Sequence, residues 1–202
     1  MMDTFIESLF TAMYEHLKRC SSMLAFVQAR VSAESFVRNQ CALAASRLLD
    51  DEKYQVHMEK RYKGKTIDLL IHEVEKGTKK EDPAYQFELK MAWPRGRGEN
   101  SAGVRHDLRA LQGRENAWVL VLYFAFDRTE PGFPYQSTKI AFEYMLKEFI
   151  DKVAAGPPTW TSAAFDMSSG KSAGKACLVA WSPTISAYYA GLSKSKEETR
   201  WK

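Results

Sequence analysis

Two apolar stretches near the middle of the chain most constrain how it can fold. TIDLLIHEV at residues 66–74 and AYQFELKMAW at residues 84–93 each have the length and apolar character of a buried strand. Residues 75–83 between them are polar and end in a proline, which is typical of a surface connection. The pattern therefore predicts two neighbouring strands joined by a loop.

Both predicted strands carry charged side chains among the apolar ones. Side chains alternate between the two faces of a strand, so Asp68 shares a face with Leu70, and Glu88 shares one with Lys90. Charged groups among residues this hydrophobic are costly to desolvate unless they neutralise one another or bind a cation. Asp68, Glu88 and Lys90 are therefore the first candidates for chemistry.

The pattern of Asp68 followed by Glu88-Leu89-Lys90 resembles the active-site signature of the PD-(D/E)xK nucleases, the restriction-endonuclease-like superfamily. In that family a helix with an acidic residue precedes a hairpin, the aspartate lies on the second strand, and the (D/E)xK triplet lies on the third. The same order is read here across Ser32–Asp127, with Ile67 in place of a proline that many members lack. A second triplet, Asp51-Glu52-Lys53, lies in a polar run where solvated charges are expected.

The resemblance implies an α/β fold of the restriction-endonuclease-like type, with a central mixed sheet of four to six strands flanked by helices. Residues 31–192 would form this domain, residues 1–30 a helical extension packed on its core, and residues 193–202 a charged tail. Four strands are expected to share the sheet, and the last is apolar enough to be buried on both faces: Tyr54–Tyr62, Thr66–Val74, Ala84–Ala92 and Ala117–Phe126.

The resemblance also implies a reaction, the metal-dependent hydrolysis of phosphodiester bonds. The carboxylates of Asp68 and Glu88 and the backbone carbonyl of Leu89 would hold Mg²⁺ or Mn²⁺, for which hard oxygen ligands are suited. Lys90 would orient or activate the attacking water, giving a 5′-phosphate and a 3′-hydroxyl. Nucleic acid is the expected substrate, DNA ahead of RNA, although the residues themselves do not distinguish the two.

Glu34 lies on the inward side of a helix predicted over Ser32–Leu49, where an acid is unusual. In the resemblance it would complete the metal ligand set or bind a second ion. The alternative is that Glu34 stabilises the helix N-terminus, with Arg38 as its partner one turn later. The sequence leaves both interpretations open.

Four arginines follow the second of the two strands. Arg95 and Arg97 lie in a glycine-containing loop, and Arg105 and Arg109 lie on the outward stripe of a helix predicted over Ser101–Gln112. They are predicted to contact nucleic-acid phosphates, with a merely solvated loop as the alternative. Asp107, on the same helix, is predicted to be structural.

The rest of the chain is predicted from periodicity and turn residues. Helices are expected over Asp3–Gln28, capped by Thr4 and covering either the sheet or a dimer partner, and over Ser137–Val153. A hairpin of Thr159–Asp166 and Ala176–Trp181 is expected around the loop Ser168–Lys175.

Composition limits the remaining classes of function. Formal net charge is +4 over 202 residues, which permits nucleic-acid binding without requiring it. Cys20, Cys41 and Cys177 form no close pair, so reduced thiols are expected. No run approaches the roughly 20 apolar residues that span a membrane, and an acid stands where a signal peptide carries bases. A cytoplasmic protein with no membrane partner is expected, and a homodimer or larger complex stays open.

Three alternatives compete with an active nuclease. Asp68, Glu88 and Lys90 could form a salt-bridge cluster that only stabilises the fold. A catalytically inactive nuclease-like domain could bind nucleic acid or a protein. A module that binds proteins through its first helix would leave the basic loop and helix unexplained.

Overall fold

The computed structural model describes residues 2–21, 34–93, 99–127, 139–169 and 172–183. Its helices are α1 (Thr4–Arg19), α2 (Glu34–Leu48), α3 (Glu99–Ala110) and α4 (Lys139–Val153). Its strands are β1 (Tyr54–Tyr62), β2 (Lys65–Glu75), β3 (Thr78–Lys79), β4 (Tyr85–Ala92), β5 (Ala117–Asp127), β6 (Trp160–Thr161), β7 (Phe165–Ser169) and β8 (Ser172–Trp181).

The strands form one mixed sheet in the spatial order β1-β2-β4-β5-β8-β6, with β3 beside β2 and β7 beside β8. The pairs β1–β2, β2–β4 and β5–β8 are antiparallel, and β4–β5 is parallel. A parallel pair requires a crossover connection, and α3 lies in the one between β4 and β5. The predicted mixed sheet flanked by helices is confirmed, although it has eight strands rather than four to six.

Hydrophobic layers cover both faces of this sheet. On one face α1 and α2 pack against it, and Phe10 of α1 contacts the rings of Phe87 and Trp118. On the other face α3 and α4 pack against it, and Tyr123 of β5 stacks on Phe149. Strand β5 contributes buried residues to both layers, as its unbroken apolar run predicts.

The regular alternation of side chains in β2 slips by one residue at Asp68. Ile67 and Leu70 are three residues apart, yet both belong to the layer under α3 and α4, whereas Leu69 belongs to the opposite layer. Strand β1 pairs with β2 on both sides of this point but not at it, and Glu59 there has a positive φ of 49°. Asp68 therefore lies between the two layers.

Several predicted details of the helices are wrong. Asp3, not Thr4, caps α1, because its Oδ1 accepts a hydrogen bond from the backbone N–H of Phe5 at 2.8 Å. In α2, Ala42 and Ala45 are buried and Leu48 is exposed, although the helical spacing of Leu48 from Val37 and Cys41 predicts that it faces inward. The predicted helix starts at Ser32 and Ser137 lie outside the described residues, as does the tail 193–202.

The C-terminal hairpin also differs from its prediction. Most of the predicted loop Ser168–Lys175 is strand, because β7 pairs with β8 as far as Ser169 opposite Ser172. The predicted first strand Thr159–Asp166 is divided, because Trp160 and Thr161 form β6 while Phe165 and Asp166 belong to β7. The three cysteines are free thiols, as expected. Within the described ranges, no helix is both long and apolar enough to cross a membrane.

Candidate active site

Asp68 and β4 meet where the pairing of β2 with β4 stops. The last paired residues are Leu69 and Phe87. One residue further along β2, the Oδ2 atom of Asp68 accepts a hydrogen bond from the backbone N–H of Leu89 at 2.9 Å. A carboxylate thus takes the place of a strand carbonyl, and it lies beside the Glu88-Leu89-Lys90 triplet.

Glu88 is a nearly buried acid with one close cation. Its side chain is 5% exposed, and its Oε1 lies 2.7 Å from Nζ of Lys65, the first residue of β2. Burial, with the charges of Asp68 and Asp107 adding to it, raises the pKa of Glu88 to about 7, while the contact with Lys65 acts in the opposite direction. Glu88 therefore exchanges its proton close to neutral pH.

Asp107 of α3 joins the two lysines of the site. It is 4% exposed, and its Oδ1 lies 3.1 Å from Lys65 Nζ while its Oδ2 lies 3.3 Å from Lys90 Nζ. These ion pairs are compatible with the structural role predicted for Asp107, whereas the contact of Lys65 with Glu88 and Asp107 was not predicted. The spacing of Asp107, three residues after Val104 and four before Leu111, places it on the inward face of α3 and could have indicated it.

Lys90 bridges α2 and α3. Its Nζ lies 3.3 Å from Asp107 Oδ2 and 3.7 Å from Glu34 Oε1. Burial alone would lower the pKa of Lys90, but Asp107, Glu34 and Asp68 outweigh that effect and raise it. Lys90 is therefore an ammonium at neutral pH, and Glu34 does converge on the site, as its charge partner.

Arg38 pairs with Asp68 and Glu59 rather than with Glu34. Its Nε lies 3.4 Å from Asp68 Oδ1, and its Nη1 donates to Glu59 at the kink in β1. The predicted pairing of Glu34 with Arg38 is wrong, because α2 lies against the sheet and Arg38 finds acids on β1 and β2. Arg38 thereby contacts Oδ1 of Asp68, whereas Leu89 donates to Oδ2.

These side chains form one charged cluster in which acids outnumber bases. Its members are Glu34, Asp68, Glu88 and Asp107, and Arg38, Lys65 and Lys90. The carboxylate oxygens are the hard donors that Mg²⁺ or Mn²⁺ requires. Across the described residues, however, no three His, Cys, Asp or Glu side chains are spaced to hold a metal ion as the cluster stands. A cation bound to Glu88 would have to displace the ammonium of Lys65.

The four arginines that were predicted to bind phosphate differ in their surroundings. Arg95 and Arg97 lie outside the described residues. Arg105 donates a hydrogen bond to the backbone carbonyl of Lys152 near the end of α4, so it links two helices. Arg109 is exposed. Of the two arginines described on α3, Arg109 is the better placed to meet a ligand from solvent.

Comparison with known proteins identifies no relative. No protein-family model matches the chain, and no curated protein or solved structure matches it either. Any assignment of function therefore depends on the geometry of the charged cluster and on the order of the elements that carry it.

Proposed function

We propose that the chain is a metal-dependent nuclease of the PD-(D/E)xK type that hydrolyses phosphodiester bonds, with DNA as the first substrate to test. The observation that supports this most directly is the hydrogen bond from Leu89 N–H to the Asp68 carboxylate. It brings the aspartate of one strand against the acidic triplet of the next. The order α2-β1-β2-β4-α3-β5, antiparallel except for the last strand pair, agrees with the restriction-endonuclease-like arrangement.

The oxygen donors of the cluster suit Mg²⁺ or Mn²⁺. Asp68, Glu88 and the carbonyl of Leu89 would hold the ion, and Glu34 would add a further carboxylate. When bound, the ion would neutralise charge on the scissile phosphate and lower the pKa of a coordinated water. Because the pKa of Glu88 is raised to about 7, the ion competes both with a proton and with the ammonium of Lys65 for this carboxylate.

The bases of the cluster would act on water and on phosphate. Lys90 is protonated in its position between Asp107 and Glu34, so it would orient the attacking water by donating to it rather than take its proton. Lys65, once released from Glu88, would stay tethered to Asp107 and would donate to a phosphate oxygen. Asp107 would keep both ammonium groups charged and in place.

An inactive nuclease-like domain is the second candidate, and the closed ion-pair network favours it. Lys65 and Lys90 each contact two carboxylates, and Arg38 contacts Asp68 and Glu59. A cluster this well paired can persist for stability alone, without binding a metal. Such a domain would bind nucleic acid or a protein without cutting.

Cleavage assays on the full chain separate the two candidates. Supercoiled, linear, single-stranded and branched DNA, with RNA alongside, are incubated with Mg²⁺, Mn²⁺ or EDTA. Cleavage that requires metal and is lost in Glu88→Gln and Lys90→Ala supports the nuclease. Asp166→Asn is the matched control, because Asp166 pairs with Lys175 on the exposed surface of β7 and β8, outside the cluster. No cleavage of any substrate, or cleavage by Glu88→Gln at the wild-type rate, would contradict the proposal.

A further inference from the structure

Two histidines lie together on the edge of the sheet, outside the charged cluster. His57 of β1 and His72 of β2 have ring centroids 5.4 Å apart, with the ring planes at 74°. His57 is paired across the ladder with Leu70, which belongs to the hydrophobic layer under α3 and α4. Both rings therefore project from the sheet face opposite α2.

The hydrogen bond of His72 fixes which of its ring nitrogens carries the proton. Nδ1 lies 3.1 Å from the backbone carbonyl of Lys80, in the segment after β3. A carbonyl only accepts, so Nδ1 must carry the proton and Nε2 must carry the lone pair. Metal-binding histidines use the same arrangement, in which the second nitrogen donates to a carbonyl and orients the ring.

Both Nε2 atoms are buried without a hydrogen-bond partner among the residues that the structure describes. His72 as a whole is only 2% exposed. A buried polar atom without a hydrogen-bond partner is energetically unfavourable. One ligand that binds both Nε2 atoms would satisfy the two rings together.

The ring spacing agrees with a metal ion bound between the two Nε2 atoms. A Zn–N bond is about 2.0 to 2.1 Å long, which puts each ring centroid roughly 3.2 Å from the ion. At a tetrahedral angle, two such centroids are about 5.2 Å apart, close to the observed 5.4 Å. The separation of the two rings is therefore compatible with a shared ion.

Burial is the main reason that both rings favour the neutral form. It lowers the pKa of both histidines, and the charges of Lys60 on β1 and Lys79 on β3 lower it further, while the hydrogen bond to the Lys80 carbonyl and the charge of Asp82 raise the pKa of His72. Neutral imidazole is the form that binds metal. The same two lysines repel a cation, so the affinity is expected to be moderate.

We propose that His57 and His72 form a binding site for a divalent transition metal such as Zn²⁺, with water in the remaining coordination positions. The site does not depend on the proposed nuclease activity, because imidazole nitrogen suits Zn²⁺, Cu²⁺ or Ni²⁺, whereas the charged cluster offers carboxylate oxygen for Mg²⁺. An edge-on contact between two histidine rings without a ligand is the alternative.

Zinc titration of the full, untagged chain tests this proposal. At pH 7.5, calorimetry should give one Zn²⁺ per chain, and nitrogen-15 spectra should show the Nε2 signals of His57 and His72 shifting together. His57→Gln and His72→Gln should each weaken binding by about tenfold or more. His106→Gln is the matched control, because His106 is exposed on α3, and it should leave the affinity unchanged.

Each contrary result overturns the proposal. The absence of Zn²⁺ binding, or binding that survives both glutamine variants, would leave the two rings as a packing contact. Binding that is lost in Glu88→Gln but kept in His57→Gln would assign the metal to the charged cluster instead. The spectra of the unsubstituted protein guard against misfolded variants, since shifts confined to His16 and His106 would by themselves exclude the site.

Discussion

The Asp68 carboxylate accepts a hydrogen bond from the backbone N–H of Leu89 at 2.9 Å, at a position where the acceptor in an antiparallel pair of strands is normally a backbone carbonyl. The slip of β2 at Asp68 turns this side chain toward β4 instead of into one hydrophobic layer. The pairing of β2 with β4 and the assembly of the candidate site are therefore linked. The hydrogen bond from Leu89 to Asp68 lies directly after the last paired residues of the two strands, and it also brings Asp68 next to Glu88.

The first prediction asks whether Asp68 stabilises the fold through its hydrogen-bond acceptor or through its negative charge. Asp68→Asn keeps an oxygen that can accept from Leu89, so its free energy of unfolding should stay close to that of the wild type. Asp68→Ala should lose about 1 to 3 kcal/mol, because it leaves the backbone N–H of Leu89 without its acceptor and removes one of the two carboxylates that Arg38 contacts. Urea unfolding measures the free energy of unfolding of both variants, and Asp166→Ala is the control because Asp166 is exposed. Equal stability of the two variants would contradict the structural role of the bond.

The second prediction concerns which lysine neutralises the buried acids. The salt-bridge alternative from the sequence gives that role to Lys90, but the structure places Lys65 against both Glu88 and Asp107. Lys65→Ala should therefore destabilise the fold by about 2 to 4 kcal/mol, because it leaves two buried carboxylates with less compensation. Lys90→Ala should cost less, since Asp107 keeps Lys65 as a partner.

Thermal melts at pH 7.5 compare these two variants. Lys175→Ala serves as the control, because Lys175 pairs with the exposed Asp166, and it should have little effect. A larger loss of stability in Lys90→Ala than in Lys65→Ala would show that Lys90 is the main counter-charge, as the sequence suggests.

Most of the central sheet follows from local patterns. The uninterrupted apolar run of β5 predicts a strand buried on both faces. Lys63 and Gly64 predict a tight turn, and both have positive φ, 46° and 84°, as a two-residue hairpin loop requires. The convergence of Asp68, Glu88, Lys90 and Glu34 also follows from the strand pattern and from its resemblance to the PD-(D/E)xK signature.

What the sequence does not predict depends on contacts between distant residues. Lys65 meets Asp107 across 42 positions, and no local period relates the start of a strand to the middle of a helix. The slip at Asp68 accompanies a positive φ at Glu59, a residue type that gives no sign of such a conformation. The pairing of Arg38 with β1 and β2 likewise depends on how α2 lies on the sheet.

The third prediction follows from the raised pKa of Glu88. Its pKa rises from an ordinary 4.5 to about 7 in the folded protein, chiefly because the side chain is buried. The folded state then binds the proton more tightly than the unfolded state, so the contribution to stability is complete below pH 4.5 and is lost as the pH rises through 7. At about 1.4 kcal/mol for each pKa unit, this loss should be on the order of 3 kcal/mol.

Glu88→Gln tests this dependence because glutamine cannot ionise. The difference in unfolding free energy between Glu88→Gln and the wild type should increase from pH 4.5 to pH 8 in favour of the variant. Taking the difference removes the titration of His57 and His72, whose lowered pKa values act with the opposite sign. A difference that stays constant over this range would show that Glu88 titrates normally.

The fourth prediction assigns the charge state of Lys90 to Asp107. Of the groups that raise the pKa of Lys90 against the effect of burial, Asp107 is the largest. Asp107→Asn should therefore lower the pKa of Lys90, while Glu34→Gln should lower it less. Carbon-13 titration of the lysine side chains measures both shifts, and an unchanged Lys90 in Asp107→Asn would contradict the assignment. If the chain is a nuclease, the alkaline limit of its rate profile should move down with that pKa.

The last prediction tests metal binding through charge. Asp68→Asn and Glu88→Gln should lose most of their affinity for Mn²⁺, because each removes an anionic ligand. Lys65→Ala should bind Mn²⁺ more tightly, since an ammonium 2.7 Å from the Glu88 carboxylate competes with the ion. Lys90→Ala should bind it equally or slightly more tightly, because Lys90 contacts Asp107 and Glu34 rather than Glu88. Calorimetric titration ranks the four variants against the wild type. A cluster that serves only stability would bind no Mn²⁺ in any of them, including Lys65→Ala, in which the competing ammonium is gone.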